Sequence, residues 1–310
     1  MQILGMDIGG THTRLGLVDA EGRLLYPCAL ADSRLLCGDE GPVSGIGSMI
    51  RSYLEQYGNP QMDAVSIGVP ASVHDDFATV FCAPNLMNAS GKHVLEETDL
   101  AAGLQKALGL PVLVNKDVNN LLYYDLAANG LTGITAACYI GTGLGTAVSM
   151  HGEVFYGAHG FAMDLGHMPL FHCMDPCSCG KTGCVESRIS GTALLRLKNR
   201  YYPDTEIGEL FAEHGTEEPL QAFVRDCAYL PAVLATVFDP DAIVLGGGVI
   251  EMNRFPRELM EQAVREQTGN AAASKPMHFV YAEKLAERGV IGAAVFAEKW
   301  FEEKRNQQGM

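Results

Sequence analysis

Short apolar runs punctuated by glycine set the rhythm of the chain. Ile3–Ile8 has strand length, Gly9-Gly10-Thr11 breaks it, Arg14–Val18 resumes, Glu21-Gly22 breaks again and Arg23–Ala29 follows. Apolar runs bounded by turn residues predict a β-meander. The period then changes. Val43, Ile46, Ile50, Tyr53 and Leu54 fall at helical spacing and predict a helix over 41–57. Ala64–Val69 reads as a buried strand broken at Pro70-Ala71, and Glu97–Leu108 as a helix. Pro111–Val114 reads as a strand running into Asn115-Lys116-Asp117. A helix over Val118–Ala128 comes next, stopped by Asn129-Gly130.

The opening order then returns. Thr135–Ile140 is strand-like, Gly141-Thr142-Gly143-Leu144-Gly145-Thr146 a turn, Ala147–Met150 a strand, His151-Gly152 a turn and Glu153–Tyr156 a strand. A repeated supersecondary unit predicts two related domains. Thr192–Arg200 and Pro219–Val237 follow as helices, the second interrupted at Pro231. Ala242–Leu245 is a strand into Gly246-Gly247-Gly248, His278–Ala282 a last strand, and Val290–Phe301 a helix.

Composition narrows the class. The 310 residues fit two domains or one large one, and 47% hydrophobic residues suffice for buried cores. A net charge of −15 argues against nucleic acid as partner, which needs a basic face. No polybasic segment, bilayer-spanning apolar run or signal-peptide pattern is evident, so the expectation is a cytoplasmic protein with no membrane partner. Nine cysteines in that setting read as thiols and metal ligands.

The candidate chemistry lies at the breaks. His167, Cys173, Cys177, Cys179 and Cys184 crowd into one stretch flanked by Asp164 and Glu186, a density of ligand types that suits a tetrahedral metal site. The turns Gly9-Gly10-Thr11 and Gly141-Thr142-Gly143 offer backbone amides to phosphate. The second is followed by a strand, so it is not the strand-to-helix turn of a dinucleotide fold. Gly180-Lys181-Thr182 looks like the end of a P-loop, but Asp175 stands where its first glycine belongs. Gly246, Gly247 and Gly248 permit close backbone approach to a ligand. Asp7 ends a strand beside a phosphate-type turn. Asp117 stands between a strand and a helix, where α/β folds place active groups, although an ordinary helix cap explains it equally well. Asn85, in a loop, is either a hydroxyl ligand or a plain turn residue.

Together, Asp7-Ile8-Gly9-Gly10-Thr11, Asn85, Asn115-Lys116-Asp117, Gly141-Thr142-Gly143, Gly166-His167, Cys177 through Glu186, and Asp239-Pro240-Asp241 with Gly246-Gly247-Gly248 resemble the ROK family of sugar kinases and repressors. The resemblance spans nearly the whole chain. It implies an α/β protein of the actin-like ATPase (ribonuclease H-like) fold, two related domains with a cleft between them. The expected division is 1–117 plus 293–310 against 118–292, the latter with the zinc loop. It further implies transfer of the ATP γ-phosphate to the 6-hydroxyl of a hexose, with Asp117 as general base. Asn85, Asn115, Asp117, Asp164, His167 and Glu186 are the implied sugar-binding residues. Gly9, Gly10, Thr11, Gly141, Thr142 and Gly143 would hold ATP phosphates, Asp7 would lie near Mg²⁺, and Gly246–Gly248 against adenosine. Structural Zn²⁺ would take His167, Cys177, Cys179 and Cys184, leaving Cys173 aside. A homodimer is implied as well. Val43–Gly47, Ala83–Leu86, Gly157–Gly160 and Phe255–Glu258 resemble the allose-phosphorylating branch, which points to D-allose. Kinases for fructose, glucose or N-acetylmannosamine are alternatives, as is a non-catalytic sugar-responsive regulator. A repressor is disfavoured by the acidic chain and by Asp7 lying close to its start. The family usually has Glu at the position of Asp164, Gly at that of Met163 and Pro-Gly at Pro70-Ala71, so the departures fall where the sugar is expected.

Overall fold

The computed structural model describes residues 1–38, 41–83, 86–88 and 93–308. They form two compact units: Met1–Gly130 with Tyr156–Ala162 and Leu285–Met310, and Leu131–Phe155 with Met163–Lys284.

The first unit opens with β1 (Ile3–Ile8), β2 (His12–Val18), β3 (Ala29–Asp32) and α1 (Gly41–Gln56). There follow β4 (Ala64–Val69), β5 (Ser72–Val73), β6 (Thr79–Cys82), β7 (Thr98–Asp99), α2 (Leu100–Leu108), β8 (Val112–Lys116) and α3 (Asp117–Asn129). Its main sheet runs β3-β2-β1-β4-β8, antiparallel through the meander and parallel from β1 to β8. β4 is buried along its whole length, as a central strand covered on both faces must be.

Two of the boundaries that differ from expectation have a plain cause. The third strand is Ala29–Asp32, not Arg23–Ala29, and Leu24 makes only an isolated bridge to Val18. Pro27 has no N–H to give a ladder, and Asp19 Oδ1 gathers the N–H groups of Glu21 and Arg23 into a loop instead. α2 starts at Leu100 because Asp99 caps it, its side chain accepting from Ala102 N at 2.9 Å.

In the second unit come β9 (Ile134–Ile140), β10 (Leu144–Met150), β11 (Glu153–Val154), α4 (Gly191–Tyr201), α5 (Leu210–His214), α6 (Glu218–Cys227) and α7 (Tyr229–Phe238). β12 (Ala242–Gly246), α8 (Arg257–Gln267), α9 (Asn270–Ala273) and β13 (Phe279–Tyr281) complete it. The order β11-β10-β9-β12-β13, with the same antiparallel and parallel pairings, repeats the first sheet. The expected interruption at Pro231 is absent. The break falls at Ala228, and Pro231 sits in the first turn of α7, where the N–H it lacks has no intrahelical partner to lose.

α10 (Arg288–Gln308) returns to the first unit and packs along α3. α3 therefore lies whole in the first unit, whereas the sequence expectation divided the chain between Asp117 and Val118, after the first residue of this helix. No helix among the described residues is long and apolar enough to cross a membrane.

Candidate functional site

In the first unit, strand register brings the acids together. Asp7 on β1 pairs with Gly68 on β4, and Gly68 pairs with Asn115 on β8, two residues before Asp117 opens α3. The chemistry thus collects at the carboxyl ends of parallel strands. The Asp7 carboxyl lies against Gly289 near the start of α10, so close that a Cβ there would fall 2.4 Å from Asp7 Cγ. Burial raises the Asp7 carboxyl above the usual range, opposed by the charges of Arg14 and Arg288. Burial likewise raises Asp117, to about 7, with the neighbouring Asp7 charge adding and Lys116 opposing. Asp117 Oδ1 also accepts from Val118 N at 2.7 Å.

Asn115 departs from its expected role as a sugar ligand. It is 1% exposed, and its amide is already engaged on every side. Nδ2 donates to Asn120 Oδ1 (2.8 Å) and Tyr156 OH (3.2 Å), while Oδ1 accepts from Lys116 N (2.9 Å) and Asn119 Nδ2 (3.3 Å). Two donors and two lone pairs are the whole capacity of a primary amide, so none is left for a substrate hydroxyl. Gly68 makes room for this network: a Cβ there would lie 2.8 Å from Asn120 Nδ2 and 3.5 Å from Asp117 Cα. Asn119, Asn120, Tyr156 and Gly68 were not picked out from sequence. The only local signal was a pair of asparagines in the first turn of a helix, an odd place for two buried amides.

The turn Gly9-Gly10-Thr11 is open, with Gly10 and Thr11 exposed, and is braced from one side. Ser33 Oγ donates to Gly9 O (2.7 Å) and Ser33 N to Thr11 O (3.0 Å). Asn85 lies outside the described residues.

In the second unit the matching hairpin, Gly141–Gly143, is held by α4: Gly191 N donates to Gly141 O at 2.7 Å, and Thr192 Oγ1 to Thr142 O at 3.0 Å. Gly246–Gly248 lies beside it, because β12 runs parallel to β9 and Val249 N donates to Ile140 O at 2.9 Å. Gly247 has φ +92° and presses on Ile140, so its need for glycine is internal; only Gly248 is open.

The cysteine stretch closes as its ligand types suggested. His167, Cys177, Cys179 and Cys184 bring one ligand atom each within 4.8 Å of the others. Cys179 Sγ and Cys184 Sγ are 3.7 Å apart, as are Cys177 Sγ and His167 Nδ1. A tetrahedron with Zn–S bonds of about 2.3 Å has edges of about 3.8 Å, so the four residues fit zinc. Burial and the crowded thiols hold Cys184 at about 12, and gathering these sulfurs as thiolates needs a cation among them. Cys173 stands apart, its Sγ 3.5 Å from Ser187 Oγ. Gly180-Lys181-Thr182 lies in the loop between Cys179 and Cys184, with Cys177 N donating to Lys181 O.

Glu186 links this loop to the hairpin. Its Oε2 accepts from Leu144 N (2.9 Å), its Oε1 from Ser178 Oγ (3.0 Å), and Cys177 Sγ lies 3.7 Å from Oε1. A carboxylate has about four acceptor positions, so capacity remains for a ligand hydroxyl. Asp164 is exposed and opens the turn Leu165–His167. Met163 before it is buried with φ +63°, a left-handed conformation that glycine adopts at little cost.

The chain resembles known proteins over nearly its whole length. Residues 3–300 match the ROK family model. The chain is 27% identical to a glucokinase of Streptomyces coelicolor, over 96% of this chain and 97% of that one. It is 30% identical to an N-acetyl-D-glucosamine kinase of Pectobacterium carotovorum, over 79% and 83%. The crystal structure of a ROK family glucokinase from Streptomyces griseus, in complex with glucose and AMPPNP, superposes with a TM-score of 0.78 at 26% identity, covering 96% of this chain and 99% of that one. With two α/β domains of repeated sheet topology and a family match over nearly its whole length, the chain belongs to the ROK family and has its actin-like ATPase fold.

Proposed function

We propose that the protein is an ATP-dependent hexose 6-kinase with D-allose as its sugar. The observation that carries the kinase reading is Asp117. Its carboxyl opens a helix at the end of a parallel strand, and burial brings it to about 7, where a general base works best at neutral pH. Phosphoryl transfer asks a protein mainly for positioning and charge. The sugar O6–H proton passes to the Asp117 carboxylate as O6 bonds to the γ-phosphorus. The bond from that phosphorus to its bridging oxygen breaks, and ADP leaves with the electron pair.

The other roles follow the chemistry of each residue. The amides of Gly9–Thr11 and Gly141–Gly143 take the ATP phosphates, and Gly248 gives adenosine an open backbone surface. Asp164, His167 and Glu186 address sugar hydroxyls, and Asn85 is retained in that role. Asp7 is the carboxylate for Mg²⁺, which supplies charge neutralisation on the phosphates when bound. Zinc on His167, Cys177, Cys179 and Cys184 has no open position, so it serves as a clamp that fixes His167 and Glu186. A homodimer in the cytoplasm completes the reading.

D-allose rests on the resemblance of Val43–Gly47, Ala83–Leu86, Gly157–Gly160 and Phe255–Glu258 to that branch. Glucose or N-acetylglucosamine is the second reading, favoured by the names of the relatives. A hexose panel with ADP-coupled readout tests both: D-allose turned over no better than glucose would remove the allose assignment and leave the kinase.

A further inference from the structure

We propose that Tyr156 is a positioning residue for the base: its hydroxyl, acting through Asn115, fixes the first turn of α3 and hence the aim of the Asp117 carboxyl. This deepens the kinase reading and rests on it. Tyr156 begins a segment, Tyr156–Ala162, that belongs to the first unit although the residues on both sides of it belong to the second. Its hydroxyl lies 3.2 Å from Asn115 Nδ2 and 3.3 Å from Tyr123 OH.

The start of α3 explains why this hydroxyl matters. Its N-cap residue is Lys116, which offers no side-chain cap. Helix N-termini ordinarily rely on such a cap to hold the first free N–H groups. Here Asp117 Oδ1 itself holds Val118 N, and Asn115 braces the turn around it. Asn115 Oδ1 holds Lys116 N and Asn119 Nδ2, and its Nδ2 holds Asn120 Oδ1. One side chain therefore grips the residue before Asp117 and the two that follow Val118. The amide can do this only in one orientation, and a buried amide keeps its orientation when both its N–H groups have acceptors. Asn120 supplies one acceptor from α3 itself. Tyr156 supplies the other from a distant part of the chain, and so ties the helix start to a fixed external point.

Tyr156→Phe isolates the hydroxyl, because the ring keeps its edge-on packing against Phe77 at 4.9 Å. The experiment measures kcat and KM against pH for wild type and Y156F, with ATP and the best hexose of a panel. Hydrogen exchange of the 116–120 amides is followed on the same samples. The expected result is a fall in kcat of about three- to tenfold, the worth of one neutral hydrogen bond, with KM for sugar and ATP within about twofold. The acid limb moves to lower pH, since a loosened Asp117 carboxyl gains water, and the 116–120 amides exchange faster. Asn115→Asp serves as the second variant. It keeps an acceptor for Lys116 N but lacks the pair of donors for Asn120 and Tyr156, and it loses at least as much kcat.

Wild-type kcat and an unmoved acid limb in Y156F would overturn the proposal. So would a loss confined to the sugar KM, which would make Tyr156 a substrate contact. A wild type inactive on every hexose would overturn the kinase reading and this role with it, whereas an active wild type beside an unaffected Y156F would overturn only the role of Tyr156.

Discussion

Replacing Asp117 with Asn separates what the carboxyl does for catalysis from what it costs the fold. Burial first, and the Asp7 charge second, raise Asp117 from 3.8 to about 7. A rise of that size amounts to about 4 kcal/mol. The residue as a whole is half-buried, not sealed, which reduces the effect to about 2–4 kcal/mol. A carboxyl raised in the folded state stabilises the fold where it is protonated. That contribution is whole below the ordinary value of 3.8 and is lost as pH rises through about 7. The asparagine amide does not titrate, so D117N should gain about 2–4 kcal/mol on the wild type between about pH 4 and pH 8. Urea unfolding followed by Trp300 fluorescence reads this directly, because Trp300 is the single tryptophan and lies in α10 of the first unit. The same variant should lose about 10²–10⁴-fold in kcat as the base disappears. A stability difference that stays constant with pH would refute the reasoning, whatever happened to activity.

Three further outcomes follow from the geometry. The acid limb of kcat/KM should show an apparent pKa of about 7, and a limb near 4 would mean that Asp117 is not the group being titrated. Gly68→Ala should cost about 1–3 kcal/mol and lower kcat, because its Cβ would stand 2.8 Å from Asn120 Nδ2; an unchanged variant would show that the network yields without loss. Elemental analysis should find a single zinc per chain, and Cys179→Ser should release it, lower the melting temperature and raise the sugar KM through Glu186. Full stability and activity in a zinc-free wild type would contradict the clamp.

The repeated meander was legible because each strand is a short apolar run closed by glycine, and the two sheets share strand order as well as pattern. The third strand was misplaced because the apolar run 23–29 looked continuous while Pro27 cannot donate to a ladder. Type and density alone offered five candidate ligands; the resemblance left Cys173 aside, and the other four are the ones that gather within 4.8 Å. Asn115 was not legible, because its partners come from α3 and from Tyr156 on a distant segment, and no local pattern records a buried amide's neighbours. The bond from Leu144 N to Glu186 was hidden for the same reason. Gly68 read as one more small residue in a strand, and only the Asn120 side chain above it explains why the position is bare.

The most direct test of the kinase reading is ADP release from ATP across a hexose panel, with phosphorus NMR on the product, for wild type and Asp117→Ala. The account predicts hexose 6-phosphate from the wild type, D-allose the best substrate, and loss of nearly all turnover in D117A with sugar binding retained. Full turnover in D117A, or a sugar-binding wild type that phosphorylates no hexose, would contradict it.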